Sequence, residues 1–341
     1  MKLKVLIFIL ITLFLSGCTG VSSKGIFGTG VSVALDPRSL GTQIDDSIMQ
    51  KNLSARILLL DKKYFLSVKS KVLDGRIFLT GKVDDPEEKL KITKFTQPAI
   101  FILSSIISHL LIEKGHLPSC VAGHSLGEYS ALTAAGGISF ETGLELVKIR
   151  SNSMDKAGIT NPGTMAAIIG LNMDSVVKLA NNIKTNEVVV AANHNTESQI
   201  VISGNINAVN EFVSIAKENG ARMAIPLNVS GAFHSSLMQP ARVELADKLN
   251  SIEISDINIP LYSNVNAMPT MKGSEIKESL ISQLESPVLW FDTINNMVSN
   301  GNLNFLEIGP GKVLSGLNKK INRDLATTNI GTFEELNSYE V

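Results

Sequence analysis

The chain has 341 residues, 44% of them hydrophobic and 18% charged, with 31 basic against 32 acidic side chains for a formal net charge of −1. So much aliphatic surface supports a globular fold with a sizeable core and excludes a disordered chain, and the balanced charge gives no nucleic-acid footprint. Two cysteines, Cys18 and Cys120, make no disulfide framework, and no His/Cys spacing matches a structural zinc site, so no metal is expected.

Residues 1–17 read as a signal peptide. Lys2 and Lys4 precede an apolar run over residues 5–14, followed by Leu15-Ser16-Gly17-Cys18. The run is too short to span a membrane comfortably. Small residues before a cysteine resemble the lipobox of bacterial lipoproteins, which implies lipidation of Cys18 and membrane attachment through that lipid alone. Residues 18–40, rich in Gly, Ser and Thr without a sustained period, read as a linker. A helical pattern follows from Gly41, and then two alternating segments, 65–72 and 76–83, flank Asp74-Gly75, a hairpin signal. Asp84-Asp85-Pro86-Glu87-Glu88 has the chemistry of a second helix start. With Val72-Leu73-Asp74-Gly75 and Leu79-Thr80-Gly81-Lys82-Val83, residues 41–92 resemble part of a BON domain, a small αβ module of bacterial envelope proteins. Half of such a module buries too little surface to stand alone.

Residues 93–341 form a second domain. Thr96 is expected to cap a helix with Pro98 in its first turn, apolar almost all round and therefore buried, ending at Gly115. A short apolar segment, Cys120-Val121-Ala122, then leads into Gly123-His124-Ser125-Leu126-Gly127-Glu128 and a helix closed by Gly136-Gly137. Gly-x-Ser-x-Gly at a strand-to-helix junction is the pattern of a nucleophile elbow, although a plain Gly-Ser turn reads the same way. A third helix starts near Ser139 and carries Leu144, Val147, Arg150 and Met154 before Gly158. Residues 163–229 read as strand, helix, two strands, helix and strand, a ferredoxin-like subdomain inserted into a larger one formed by 93–162 and 230–341. The remaining strands and helices favour an α/β-hydrolase-like domain with a parallel sheet covered on both faces.

Ser125 needs a base, and His234 is the best placed, where the chain leaves the inserted subdomain. His109 reads as a core or helix-side group and His116 as surface; His124 shapes the elbow or contacts substrate, and His194 lies between two subdomain strands. No carboxylate announces itself as a third member; Asp256 and Glu307 are the only ones in plausible stretches. Arg150 falls on a largely apolar helix face, where a guanidinium needs an anion: either an internal salt bridge or a substrate carboxylate.

These features together resemble the malonyl-CoA:acyl carrier protein transacylase family. Thr96-Gln97-Pro98-Ala99-Ile100, the Gly123 to Glu128 elbow, Arg150, Gly231-Ala232-Phe233-His234-Ser235, Tyr262-Ser263-Asn264-Val265 and Glu307-Ile308-Gly309-Pro310-Gly311-Lys312-Val313-Leu314 come in the family's order, over about residues 93–332. The resemblance implies that Ser125 forms a malonyl ester with His234 as base and that the Leu126 N–H donates to the oxyanion. It makes Arg150 the clamp on the malonyl carboxylate, with Gln97, His124, Phe233 and Asn264 at the substrate. The segment around Asn264 would supply the carbonyl that orients His234. Malonyl-CoA is then the substrate, acyl carrier protein the partner, and no cofactor is required. The family's opening strand, with its Phe-Pro-Gly-Gln-Gly-Ser-Gln type loop and second oxyanion donor, has no counterpart; Gly28-Thr29-Gly30 has the glycines but sits in the linker. The chain therefore reads as two truncated genes joined near Leu90 to Thr96, with transacylase activity impaired. An envelope lipoprotein with an inert C-terminal part and a serine esterase or thioesterase are the competing readings. The transacylase reading implies the cytoplasm, whereas the lipobox implies the envelope.

Overall fold

A computed structural model describes residues 40–60, 68–73, 76–81, 90, 92–183 and 187–339. The signal, Cys18, most of the linker, the Asp74-Gly75 turn and the helix start at 84–88 lie outside the described residues. The chain divides into two compact units, 1–86 and 87–341.

In the first unit, helix α1 (Leu40–Leu60) precedes an antiparallel pair, β1 (Val68–Leu73) and β2 (Arg76–Gly81), whose register sets Leu73 against Arg76. Gln50 Oε1 of α1 accepts from the Val72 N–H at 3.3 Å, and Val72 is buried.

The second unit opens with α2 (Thr93–Glu113), which begins three residues before the expected Thr96 cap, with Ile92 at the N-cap. The Thr96 hydroxyl instead donates back to the Ile92 carbonyl at 3.0 Å. Pro98 therefore lies inside the helix, where it cannot donate to the Lys94 carbonyl; Ser151 Oγ reaches that carbonyl at 3.4 Å. Contrary to the expectation of full burial, α2 packs along one side only. Gln97, Phe101, Ser104, Ile107 and Leu111 are buried, while Ile106 is 45% exposed. His109 and Glu113 share the exposed side with Ile106, and Ile100, Ile102, Leu103 and Leu110 are half-buried.

Next come β3 (Val121–Ala122), α3 (Gly127–Ala134) and α4 (Phe140–Thr160). Gly136, at φ +79°, ends α3, and the Ser139 side chain caps α4 by accepting from the Thr142 N–H at 3.2 Å. The α4 helix runs past Gly158, which serves close packing rather than termination: a Cβ there would lie 2.4 Å from the Ser230 carbonyl oxygen.

The inserted segment is β4 (Gly163–Ile169), α5 (Met173–Asn181), β5 (Val189–Thr196), β6 (Gln199–Asn205), α6 (Ile206–Glu218) and β7 (Met223–Pro226). Its antiparallel sheet has the order β5-β6-β4-β7, the ferredoxin-like interleaving of a βαββαβ chain. Val176, Ile200, Ile202, Val209 and Phe212 fill its own core.

The chain returns through a short 3₁₀ turn, Ser236–Met238, to α7 (Gln239–Asn250). It continues with β8 (Leu261–Tyr262), β9 (Pro269–Thr270), α8 (Gly273–Ser282), a second 3₁₀ turn (Gln283–Glu285) and α9 (Trp290–Ser299). The last elements are β10 (Asn304–Ile308), α10 (Val313–Ile321), β11 (Ala326–Ile330) and α11 (Phe333–Ser338). Parallel strand pairing is present, but in two separate sheets among the described residues, β3 with β8, extended by antiparallel β9, and β10 with β11, besides an isolated parallel bridge between Asn193 and Val288. The largest core joins α2, α3, α4, α7 and α8 through Phe101, Tyr129, Leu132, Leu146, Leu245 and Leu280. It lies directly beneath the elbow.

Candidate active site

Ser125 sits between β3 and α3 with φ +51°, a left-handed backbone that a non-glycine residue holds only when its surroundings enforce it. Two features enforce it. A Cβ at Gly123 would fall 1.9 Å from the Gly127 carbonyl carbon, so the turn closes only with glycine there. Asn264, on the loop after β8 and 1% exposed, spans the elbow: its Oδ1 accepts from the Ser125 N–H and its Nδ2 donates to the Gly123 carbonyl, both at 2.6 Å. Asn264 is thus a brace behind the serine rather than part of a substrate surface. The Gly127, Glu128 and Tyr129 N–H groups bond to the carbonyls of His124, Ser125 and Leu126. The Leu126 N–H has no partner among the described residues, which leaves it available to an oxyanion at the helix start.

His234 approaches from the segment that leaves the inserted subdomain, also with positive φ, +60°, and 4% exposed. Its Nε2 lies 2.9 Å from Ser125 Oγ. Its Nδ1 faces two backbone carbonyls, Gln283 O at 2.9 Å and Ser286 O at 3.1 Å. Carbonyls only accept, so Nδ1 carries the proton and Nε2 presents its lone pair to the serine. The orienting carbonyls thus come from the turn after α8, not from the segment around Asn264. Burial first, then the nearby Arg150 charge, lowers the His234 pKa to about 3, against the pull of the two carbonyls. Asp256 and Glu307 are engaged elsewhere: Asp256 accepts from the Gly273 N–H and Lys272, and Glu307 takes the Leu314 and Ser315 N–H groups at the start of α10.

Arg150, on α4 and 1% exposed, meets the same serine. Its Nη2 donates to Ser125 Oγ at 2.8 Å and to Gln283 Oε1 at 3.0 Å, and its Nη1 donates to Gln97 Oε1 at 2.5 Å. The guanidinium lies over the Tyr129 ring, 5.6 Å from its centroid, and burial lowers its pKa. All three hydrogen-bond acceptors are neutral oxygens, and Nε has no partner among the described residues. A buried cation whose recorded acceptors are all neutral has the chemistry to take a carboxylate bidentately.

The other candidates are dispersed around this centre. His124 donates from Nε2 to Asn195 Oδ1 at 2.9 Å and packs against Trp290; desolvation lowers its pKa. Phe233 is partly buried between the large core and a small cluster of Met165, Ala192 and Val201. His194 is paired with Asp292 at 2.8 Å, so from the Asn193-His194-Asn195 run it is Asn195 that reaches the elbow. His109 is on the exposed side of α2 beside Glu113, and His116 packs edge-on against Tyr339. Sequence reasoning missed Gln283, which touches Arg150, Ser125 and Glu128; a single glutamine at a helix end carries no signal of its own. No group of three or more His, Cys, Asp and Glu residues converges as a metal site among the described residues.

The arrangement is that of a nucleophilic serine with a neutral imidazole base and an anion clamp on the same oxygen. It suits acyl transfer from an activated ester that carries a free carboxylate. Comparison with known proteins agrees with this chemistry. The acyl transferase domain family matches residues 62–330, reaching further toward the N-terminus than residue 93 and taking in the β1–β2 hairpin. The malonyl CoA-acyl carrier protein transacylase of Bacillus subtilis (strain 168) is 43% identical over 241 residues, 70% of this chain and 76% of that protein. The crystal structure of the Synechocystis malonyl-CoA:ACP transacylase superposes with a TM-score of 0.69 at 42% identity, covering 75% of this chain and 84% of the other. A malonyl-transacylase solved with a type II PKS acyl-carrier protein gives a TM-score of 0.73 at 34% identity, over 85% and 89% of the two chains.

Proposed function

The chain belongs to the malonyl-CoA:acyl carrier protein transacylase family, and from this we infer that it moves a malonyl group from malonyl-CoA to the phosphopantetheine thiol of acyl carrier protein, a step of fatty acid biosynthesis. Ser125 Oγ attacks the malonyl thioester carbonyl while its proton passes to His234 Nε2. The tetrahedral oxyanion faces the Leu126 N–H. Collapse breaks the C–S bond, and His234 returns the proton to the departing CoA thiolate, leaving a malonyl-serine ester. The carrier thiol then gives its proton to His234, attacks the ester, and Ser125 leaves with the proton back on its oxygen. Arg150 holds the malonyl carboxylate throughout, with Gln97 beside it.

The observation that carries this reading is the convergence of His234 and Arg150 on one oxygen, Ser125 Oγ, at 2.9 and 2.8 Å. Radiolabelled malonyl-CoA tests it: label should appear on Ser125, chase onto acyl carrier protein, and be absent from Ser125→Ala. Wild-type protein that takes up no label, or a Ser125→Ala variant labelled equally, would overturn the assignment. A separate proposal, which would place the chain in the envelope rather than the cytoplasm, is that residues 1–17 form a lipoprotein signal with Cys18 as the lipidated residue, for which palmitate incorporation at Cys18 is the direct measurement.

A further inference from the structure

Glu128 is the last residue of the elbow motif, and the mechanism above gives it no task. It is fully buried, yet its carboxylate makes no direct ion pair among the described residues. Two donors meet on one oxygen, Oε2, which accepts from Gln283 Nε2 at 2.8 Å and from the Asn264 N–H at 3.2 Å, and the Ser263 side chain is a further hydrogen-bonding neighbour of the carboxylate. Gln283 is fully buried too, and both polar atoms of its side-chain amide bond to groups of the site. Its Nε2 also donates to the Ser125 carbonyl at 3.0 Å, its Oε1 accepts from Arg150 Nη2, and its backbone carbonyl accepts from His234 Nδ1. A terminal amide has two orientations related by a half-turn, and only one of them puts Nε2 toward Ser125 and Oε1 toward Arg150.

We propose that Glu128 is a positioning residue for malonyl transfer: its Oε2 fixes the Gln283 amide in the orientation that presents Oε1 to Arg150 and Nε2 to the Ser125 carbonyl, and so aligns clamp, nucleophile and base together. It acts as an acceptor rather than as a counter-charge, because its hydrogen bonds come from neutral donors, and among the described residues it reaches the Arg150 guanidinium through the glutamine. Burial, which pushes the Glu128 carboxyl up to about 7 against the opposing hydrogen bonds and the Arg150 charge, fits a group used for its lone pairs.

The proposal rests on the malonyl transfer reading, and a wild type that never labels would defeat that reading before this one is reached. Its own test compares Glu128→Met, which removes the acceptor at similar volume, with Glu128→Gln, which keeps an oxygen for Gln283 and loses the charge. Ser125 labelling by malonyl-CoA and by acetyl-CoA is measured on each full-length variant. Glu128→Met should lower kcat for malonyl by about 100-fold and shrink the malonyl-to-acetyl ratio by about tenfold. Glu128→Gln should stay within about tenfold of wild type with the ratio kept. A Glu128→Met as active as wild type, or a Glu128→Gln as damaged as Glu128→Met, overturns the proposal. Should Glu128→Met fail to fold, Glu128→Gln alone decides: retained labelling and ratio support the acceptor role, and a 100-fold loss refutes it.

Discussion

Replacing Arg150 with alanine should separate malonyl transfer from simple ester formation. The guanidinium rests on three neutral oxygens, those of Ser125, Gln97 and Gln283. A malonyl carboxylate adds a bidentate, charge-assisted pair in a buried setting, with Gln97 and Gln283 still flanking the guanidinium. Such hydrogen bonds are each worth about 1.5–3 kcal/mol, so the pair contributes about 3–6 kcal/mol to holding malonyl in the transition state. At about 1.4 kcal/mol per decade, Arg150→Ala should lose roughly 10² to 10⁴ in kcat/KM for malonyl-CoA. Acetyl-CoA has nothing for the clamp to hold, and for it the variant removes a buried cation and one donor on the nucleophile, so its rate should stay within about tenfold of wild type. The assay is Ser125 acylation by the two donors, followed by quench and intact mass. Arg150→Lys is the control that keeps the charge but loses the planar fork, and it should fall between. Equal loss for malonyl and acetyl would refute the argument, because it would make Arg150 a structural arginine; so would no loss for either.

Asn264→Ala removes two buried hydrogen bonds from a strained elbow, which at about 1–3 kcal/mol for each stranded partner should lower the melting temperature by several degrees and reduce Ser125 labelling, as read by differential scanning fluorimetry and mass spectrometry. Gly123→Ala places a Cβ against the Gly127 backbone, and soluble yield with wild-type-like circular dichroism should be lost. His234 has a pKa lowered to about 3 from 6.5, so below pH 6.5 the unfolded chain binds a proton that the folded one does not; its contribution to stability is complete above 6.5 and is lost as the pH falls toward 3. The urea midpoint should therefore fall more steeply across that window in wild type than in His234→Gln.

The parts of the site that were legible in the sequence are those where chemistry demands a residue type. Ser125, His234 and Arg150 stand out because a nucleophile in a glycine-flanked turn, a histidine at a chain re-entry and an arginine on an apolar face each need an explanation. What was not legible comes from the backbone. The third member of the catalytic chain is a pair of carbonyls, Gln283 O and Ser286 O, and a carbonyl is the same atom at every residue, so no sequence pattern marks it. Asn195 was overlooked beside His194 for the opposite reason: the histidine is the more chemically conspicuous of the two, yet it is occupied by Asp292. The helix boundaries moved for local reasons as well. A threonine inside α2 satisfies its hydroxyl on the preceding turn, and Gly158 interrupts nothing because α4 needs it for close approach to Ser230.

Carbonyls in place of a carboxylate behind His234 follow from what stands on the other side of the serine. A buried aspartate there would lie close to Arg150 and compete with the substrate for it, since an ion pair within the protein would be satisfied before malonyl arrived. It would also stabilise the imidazolium, holding the proton that His234 must return twice in each cycle. With neutral acceptors on Nδ1 the imidazole stays unprotonated, and the guanidinium keeps only neutral partners, which an incoming carboxylate outmatches. The buried acid the site does contain, Glu128, is linked to the clamp through the Gln283 amide rather than by a direct ion pair, where it can order the site without occupying it. Moving a carboxylate one step closer, as in Gln283→Glu, should therefore weaken malonyl acylation by pairing with Arg150 directly. An acylation rate unchanged in that variant would show that Arg150 is not held in reserve for the substrate.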